Sequence, residues 1–395
     1  MLKGKCVVLG VTGSIAAYKI ANLASALVKL GADVNVIMTK NATNFINPIT
    51  FETLTSNKCL VDTFDRDFQF NVEHVALAKR ADIFMVAPAS ANVIGKMAHG
   101  IADDMLTTTI LAAKCKKLVS PAMNTNMFTN PIVQDNLEIL KKYGFEIIQP
   151  ASGYLACGDT GAGKMPEPEV LLQYILREIA FDHDLDGKKV MITAGPTQEA
   201  IDPVRYISNH STGKMGYAIA RAAMLRGAEV TLVSGPVAIQ PPMFVDVVNI
   251  KSAAEMAEAV KSRAGEMDII IKSAAVADYR PATVAAEKIK KKDGEASSIE
   301  LERTEDILSF LGANKKPGQF ICGFSMETEN MLENSKAKLK KKNVDMIVAN
   351  NLRTAGAGFG TDTNVVTLIT ADDARELPIM SKEDVAQAIL DEIVK

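Results

Sequence analysis

The chain begins the same way twice. "GKCVVLGVTGSIAAYKIANLASALVKLGADVNVIMT" near the N-terminus, and "GKKVMITAGPT" followed by "HSTGKMGYAIARAAMLRGAEVTLVSGP" further on, share one plan: Gly-Lys, an apolar strand, a Gly-containing turn, a helix, a glycine and a second strand. That is a βαβ unit used twice, and it leaves few architectures open. In the first copy Ile20, Leu23, Leu27 and Leu30 recur at three- and four-residue steps, which puts one apolar stripe on a helix, and Gly31 stands where it can cap that helix. Short apolar runs continue in each half, "DIFMVAP", "KKLVSP" and "FEIIQP" in the first, then "DVVNI", "DIIIKSAA", "FICGF", "DMIVAN" and "VVTLIT" in the second. Strands alternating with helices make a parallel sheet covered on both faces, so the expected class is α/β, with two doubly wound, mostly parallel three-layer domains. The length of 395 residues suits two domains of about 100–200 residues each. The charged stretch "FDHDLDGKK" marks the joint, giving expected domains at 1–181 and 186–395.

Composition excludes several classes of partner. A net charge of −3 argues against nucleic acid, whose phosphates are bound through a surplus of Lys and Arg. No apolar run reaches the length of about 18 that a membrane span needs, and "MLKGKCVVLG" enters a strand at once, so a cytoplasmic protein without a signal peptide is expected. Five cysteines, at 6, 59, 115, 157 and 322, form no close pair and signal neither a zinc cluster nor a disulfide framework. Cys6 and Cys322 lie in strand-like runs, whereas Cys157 lies in a polar, Gly-rich stretch where a thiol can be reached.

In parallel α/β sheets ligands sit beyond the carboxyl ends of the strands. In the first half those positions are Gly10 to Ser14, Thr39, the "APASAN" turn from Ala87 to Asn92, and "SPAMN" from Ser120 to Asn124. The turn "GVTGSIA" lacks the GxGxxG spacing, and the second strand ends in Thr39-Lys40 without the acid that would hold an NAD ribose. A helix opening at Ser14 suits a single phosphate instead. With small hydroxyl and amide side chains at the other strand ends, the set fits a flavin mononucleotide, which has one phosphate and one flat ring. "ACGDTGAGKM", residues 156–165, imitates a triphosphate loop from Gly158 to Lys164, but Met165 stands where a Mg²⁺-binding hydroxyl is required, and the prolines on both sides make it read as an irregular loop.

"GVTGSIAAYK", "APASAN", "PAMNTNM" and "ACGDTGAGKM" resemble the flavin-dependent phosphopantothenoylcysteine decarboxylases, and "ITAGPTQEAIDPVRYISNHSTGKMG", "AAVADYR" and "EKIKKK" resemble phosphopantothenate–cysteine ligase. Their order is that of the bacterial bifunctional enzyme of coenzyme A biosynthesis, over essentially the whole chain. The resemblance implies a flavodoxin-like flavin domain followed by a Rossmann-like ligase domain. Two departures stand out: Lys164 where an Arg is expected, and "RTEDIL" in place of an Asn-Pro-Asp-Ile type of segment.

For the first domain the resemblance implies FMN, held by Gly13, Ser14, Thr39, Ser90 and Asn92. Decarboxylating an N-acylated cysteine needs an electron sink, and transient oxidation of its CH₂–SH to a thioaldehyde provides one, with a final reduction by the same flavin. His74, in "NVEHVALAKRAD", matches the residue that assists proton removal, Asn124 the one that holds the substrate carboxylate, and Cys157 the acid that protonates the enethiol. Taken alone, a single helix histidine and a turn asparagine read equally as structural residues. The Gly-rich loop then becomes a substrate-covering flap.

For the second domain it implies CTP, which activates a carboxylate for attack by the cysteine amine. Ala275, Asp278 and Phe324 match nucleotide contacts, and Lys288, Lys338 and Lys342 a triphosphate clamp, the last two sharing one helix face. Taken alone, such basic runs read as solvated surface. Asn209 would hold the acyl group, and the helix start at Ser211 to Gly213 offers N–H groups to a phosphate. Mg²⁺ is expected with the triphosphate, its ligands unknown. The partners implied are 4′-phosphopantothenate, cysteine and CTP, and the assembly a homo-oligomer in which trimers of one domain and dimers of the other build a dodecamer. Two rivals are an NAD(P)-linked reductase, which the missing fingerprint disfavours, and a non-catalytic flavin-binding regulatory or scaffold protein, which the joint presence of His74, Asn124 and Cys157 disfavours.

Overall fold

The computed structural model describes residues 1–64, 73–154, 158, 160–290, 298–326, 331–350, 358 and 360–395. Two compact units divide the chain, Met1–Phe181 and Asp182–Lys395. The first holds β1 (Cys6–Val11), β2 (Asp33–Met38), β3 (Ile83–Ala89), β4 (Lys116–Pro121) and β5 (Phe145–Ile147) in one sheet of order β2-β1-β3-β4-β5. Every pairing is parallel, and the order reverses between β1 and β3, so the loops after these two strands diverge and leave a crevice at their carboxyl ends.

Among the described residues, eight helices accompany this sheet: α1 (Lys19–Lys29), α2 (Pro48–Thr55), α3 (Glu73–Arg80), α4 (Ala91–His99), α5 (Met105–Ala112), α6 (Thr125–Phe128), α7 (Pro131–Lys142) and α8 (Pro168–Ile179). α1 packs with α2 and α8, while α5 packs with α3 and α4, and α4 with α7, giving the helical layers their two groups. Cys6 and Val8 of β1 join one core with Ile94, Leu106, Ile110 and Leu137. All six residues of β1 are buried, which is why the strand is apolar throughout instead of alternating.

Three local expectations change. Ser14 caps a 3₁₀ turn, Ile15–Tyr18, and α1 begins only at Lys19. Leu30 is the C-cap and partly exposed, so the buried stripe is Ile20, Leu23, Ala24 and Leu27, and Gly31 follows with φ +90°. Within the stretch read as an irregular loop, Thr160–Lys164 forms a strand, β7, that pairs antiparallel with β6 (Ala151–Tyr154), and the two are called the β6–β7 hairpin below. Prolines and glycines read as breakers, but an antiparallel ladder supplies the backbone hydrogen bonds, and the glycines serve close approach. A Cβ on Gly163, whose φ is +130°, would sit 2.3 Å from the Met123 carbonyl, the strand-end loop that the hairpin meets through a Met123 N–H to Gly163 C=O bond of 3.1 Å.

The second unit contains β8 (Lys189–Ala194), the hairpin β9 (Gln198–Ala200) and β10 (Tyr206–Ser208), β11 (Glu229–Ser234), β12 (Asp246–Asn249), β13 (Ile269–Lys272), the hairpin β14 (Tyr279–Pro281) and β15 (Leu301–Arg303), β16 (Phe320–Met326), β17 (Met346–Asn350), β18 (Thr363–Asn364), β19 (Val366–Ile369), β20 (Ala374–Glu376) and β21 (Met380–Ser381). Its main sheet runs β12-β11-β8-β13-β16-β17-β19-β20. The strands are parallel as far as β17, and β19 and β20 close the edge antiparallel. Helices α9 (Lys214–Leu225) and α13 (Lys382–Ile393) pack together, as do α10 (Ala253–Ala264), α11 (Ile307–Ala313) and α12 (Met331–Lys342) in sequence. The reversal here lies between β8 and β13.

In both units a buried threonine at the end of the first strand ties the two diverging loops together. Thr12 Oγ1 donates to the Pro88 carbonyl at 2.6 Å and accepts from the Ser90 N–H at 2.9 Å. Thr193 Oγ1 accepts from the Ala274 N–H at 3.1 Å, and Thr197 Oγ1 from the Ala277 N–H at 3.0 Å. All three threonines have no exposed surface, so water cannot replace these bonds.

Thr12→Val keeps the shape of the side chain but leaves the buried Pro88 carbonyl and the partly buried Ser90 N–H without that partner. The expected cost is about 1–3 kcal/mol, seen as an earlier unfolding transition of the first unit in denaturant. Gly235→Ala tests the second unit: its Cβ would lie 1.8 Å from the Pro196 carbonyl, so the backbone must move. A loss on the order of 3 kcal/mol is expected, with calorimetry showing the second unit's transition lowered and the first unit's unchanged.

Candidate active sites

At the strand ends of the first unit lie two clefts, of about 660 Å³ and about 370 Å³, that share Gly13, Ser90, Ala91 and Met127. Ser14, Asn124, Tyr154, Gly163 and Lys164 line the larger, and Thr39, Asn41 and Asn92 the smaller. Gly13, Ser14, Thr39, Ser90, Asn92 and Asn124 are therefore brought together. Gly13 permits this, because a Cβ there would lie 2.8 Å from that of Asn41. Asn124 Oδ1 accepts from the Asn126 N–H at 2.8 Å, which fixes the turn after β4. His74, partly buried on α3, is not among the lining residues, and Cys157 lies outside the described residues.

The cleft carboxylates are already matched to cations. Lys19 Nζ sits 2.7 Å from Glu167 Oε1, with Lys164 Nζ at 3.7 Å, and Lys19 foremost holds the Glu167 carboxyl below the usual range. Lys96 bonds Asp103 at 2.6 Å and Asp104 at 3.3 Å, and its own titration is raised, chiefly by Asp103. What these walls leave for a ligand is a set of hydroxyls, amides and backbone groups with a few lysines. That donor set fits a heterocycle carrying one phosphate, which needs both donors and acceptors but no buried charge opposite its ring.

In the second unit a cleft of about 450 Å³ is lined by Asn209, Ser211 to Gly216, Lys272, Ala275, Asp278, Phe324 and Lys338, among others. Gly213 caps α9 with φ +77° and no side-chain cap, so the first turn of the helix presents its N–H groups at the cleft. Asn209 Nδ2 donates to the Ala275 carbonyl at 3.0 Å, and Lys338 Nζ to the Phe324 carbonyl at 3.5 Å. Asn209, Ala275, Asp278, Phe324 and Lys338 thus converge.

Two expected residues do not. Lys342 is not among the lining residues; its ammonium is held by Asp306 and by Ser309 Oγ, the latter at 2.6 Å. Lys288 is exposed and also off the cleft lining, on a segment pinned at its neighbour: the Ile289 N–H donates to Asp202 Oδ2 at 3.2 Å, and Arg205 Nη2 to the Ile289 carbonyl at 2.5 Å. Asp202 is buried, which pushes its carboxyl up. The N–H groups of Val204, Ile289 and Arg205, with the Arg205 guanidinium, outweigh that and hold it below the usual range.

Several contributors escaped the sequence reading. The departure "RTEDIL" supports the cleft: Thr304 Oγ1 donates to the Ala277 carbonyl at 2.6 Å and its N–H to the Asp278 carbonyl at 3.0 Å. Lys272 lines the cleft, and burial, then Lys338, holds its ammonium down to about 8. Its position after an apolar run was the available signal, yet the run "DIIIKSAA" reads simply as a strand. Among the described residues no group of three or more His, Cys, Asp or Glu side chains could hold a metal ion, and no helix is long and apolar enough to cross a membrane.

Comparison with known proteins agrees with this division. Residues 1–180 match the family model described as Flavoprotein, and residues 185–395 that of the DNA/pantothenate metabolism flavoprotein C-terminal domain. The Coenzyme A biosynthesis bifunctional protein CoaBC of Bacillus subtilis (strain 168) is 49% identical over 397 residues, covering 100% of this chain and 97% of the relative. That of Escherichia coli (strain K12) is 43% identical over 395 residues, covering 100% and 97%. A crystal structure of the C-terminal domain of such a protein is 46% identical and covers 54% of this chain and 97% of its own, with a TM-score of 0.46. The chain belongs to the bifunctional coenzyme A biosynthesis family, in which a flavoprotein decarboxylase and a phosphopantothenate–cysteine ligase are carried by one polypeptide.

Proposed function

We propose that the chain's two activities are seated in the two sets of clefts, with FMN and phosphopantothenoylcysteine in the first unit and CTP, Mg²⁺ and 4′-phosphopantothenate in the second. The observation that carries the first assignment is the convergence of Gly13, Ser14, Thr39, Ser90, Asn92 and Asn124 at the β1/β3 reversal. The second rests on Asn209, Ala275, Asp278, Phe324 and Lys338 around the first turn of α9. The same reading extends to domains of 1–181 and 186–395 that bury separate cores, and to a cytoplasmic enzyme.

In the second unit the substrate carboxylate attacks the α-phosphorus of CTP, an acyl-cytidylate forms and pyrophosphate leaves. The cysteine amine then attacks the acyl carbon, an amide forms and CMP leaves. The N–H groups of α9 and Lys338 stabilise phosphate charge, Asp278, Ala275 and Phe324 hold the nucleoside, and Asn209 orients the acyl group. Mg²⁺ would neutralise part of the triphosphate charge. Lys288 acts on the phosphates from a segment that Asp202 keeps in place, whereas Lys342 joins them only by releasing Asp306 and Ser309.

In the first unit bound FMN supplies reversible two-electron chemistry at the cysteine CH₂–SH carbon, which lets the carboxylate leave as CO₂. Asn124 holds that carboxylate, Cys157 delivers a proton to the enethiol carbon, and the β6–β7 hairpin covers the substrate. His74 accepts a proton during the oxidation. The two domain types would build a homo-oligomer, up to a dodecamer.

Cys157→Ser should retain flavin, consume substrate and release CO₂, yet accumulate the unsaturated thiol; normal product in mass spectra would remove Cys157 from the proton-donor role. Lys288→Gln should lower CMP release on the order of 10²–10³-fold, with pyrophosphate release less affected. Unchanged release of both would return "EKIKKK" to solvated surface.

A further inference from the structure

The titratable groups lining the second unit's cleft, among the described residues, are Lys214, Lys272, Lys338, Lys382, His210 and a single carboxylate, Asp278. Three of the four lysines are held by acceptors. Lys214 donates to Asp362 Oδ1 at 2.7 Å and to the Gly360 carbonyl at 2.9 Å. Lys338 donates to the Phe324 carbonyl at 3.5 Å, and Lys382 to the carbonyls of Gly358 at 3.0 Å and Thr361 at 2.6 Å. Lys272 has no acceptor among the described residues.

Its place makes that unusual. Lys272 ends β13, beside β8 at the reversal of the sheet, so its ammonium enters the cleft from the floor and not from the rim. Burial and then the charge of Lys338 hold it down to about 8 from an ordinary 10.5; Asp306 and Asp278 act in the opposite direction and Lys342 again lowers it. Asp306 is itself taken by Lys342, and Asp278 is exposed at the mouth. A partly buried cation without a counter-ion costs folding free energy. Such a cost is tolerated where a ligand supplies the missing charge.

We propose that Lys272 is a phosphoryl-anion ligand of this cleft, acting with Lys338 and the first turn of α9 on a phosphate of either CTP or 4′-phosphopantothenate. The inference rests on the ligase reading of the second unit and adds to it a binding residue that neither "AAVADYR" nor the basic runs contain. An anion at Lys272 stabilises the ammonium, so binding draws a proton from solvent where the free enzyme's Lys272 is partly neutral. Affinity is greatest below about pH 8 and falls as pH rises toward the titration of the liganded state.

The test is calorimetry on the full chain with CTP alone and with 4′-phosphopantothenate alone, at roughly pH 7.5 and pH 9.5 and in buffers of different ionisation heat. The proteins are the unmodified chain, Lys272→Met and Lys272→Arg. The unmodified chain should take up protons on binding and weaken between the two pH values. Lys272→Met should bind about tenfold more weakly at the lower pH, with no Lys272-dependent proton uptake. Lys272→Arg, charged throughout, should bind equally at both. Without ligand, Lys272→Met should melt at or above the unmodified temperature, since it removes an uncompensated charge and thus reports binding, not folding. Sensitivity confined to CTP assigns the nucleotide phosphates, and sensitivity confined to 4′-phosphopantothenate assigns the acyl substrate's phosphate. Unmodified affinity and proton uptake for both ligands in Lys272→Met would overturn the assignment of Lys272 alone. Failure of the unmodified chain to bind either ligand would overturn it together with the ligase reading.

Discussion

The sites depend on a few hydrogen bonds that cross the opening between diverging loops. A doubly wound sheet creates a crevice where its strand order reverses, and the segments that leave the sheet there need bonds of their own to stay aligned. Thr12 in the first unit, and Thr193 with Thr197 in the second, accept N–H groups from the neighbouring strand's loop and have no exposed surface. A buried hydroxyl is short enough to sit between two main chains and can both donate and accept, as Thr12 does toward Pro88 and Ser90. These bonds help to hold Ser90 at the start of α4, and they hold the Ala274 to Asp278 loop together with the bonds that Asn209 and Thr304 make to it.

On this shared frame the two units pair their charges differently. The first presents neutral hydroxyl and amide groups and ties its carboxylates to Lys19, Lys96 and Lys164. That leaves a wall of hydroxyls, amides and backbone groups with Lys40 as a further cation, suited to a polar ring carrying one phosphate. The second, among the described residues, gathers four lysines, one carboxylate and a helix start without a side-chain cap around one cleft. That arrangement favours phosphate anions and the negative charge that develops in acyl and phosphoryl transfer. The cost of gathering cations is visible in Lys272, whose titration is held down to about 8 by burial and by Lys338.

Much of the architecture was legible because it follows from periodicity. The repeated βαβ start located β1, α1 and β2, then β8, α9 and β11, and the ends of the apolar runs located Gly13, Thr39, Ser90 and Asn124. Features set by packing across long sequence separation were not legible. The β6–β7 hairpin looked irregular because its glycines answer to the loops beside them, Gly163 to Met123 and Gly161 to Thr125. Lys338 and Lys342 share a helix, yet only Lys338 lines the cleft. Lys342 is captured by Asp306, whose capping of α11 no spacing rule announced. Thr12 lies inside "GVTGSIAAYK" and Thr304 inside "RTEDIL", but what their hydroxyls hold appears only when Pro88 and Ala277 are brought alongside.

The central claim is that one chain forms an amide bond at one set of strand ends and removes a carboxylate at the other, with the first reaction supplying the second. The most direct measurement follows carbon dioxide released from cysteine labelled in its carboxyl carbon, with 4′-phosphopantothenate, CTP and the purified flavin-loaded chain. Labelled carbon dioxide should appear in an amount equal to the pyrophosphate released, stop when CTP is withheld, and give way to accumulated phosphopantothenoylcysteine when the flavin is removed. Carbon dioxide released without CTP, or undiminished after loss of the flavin, would contradict the account.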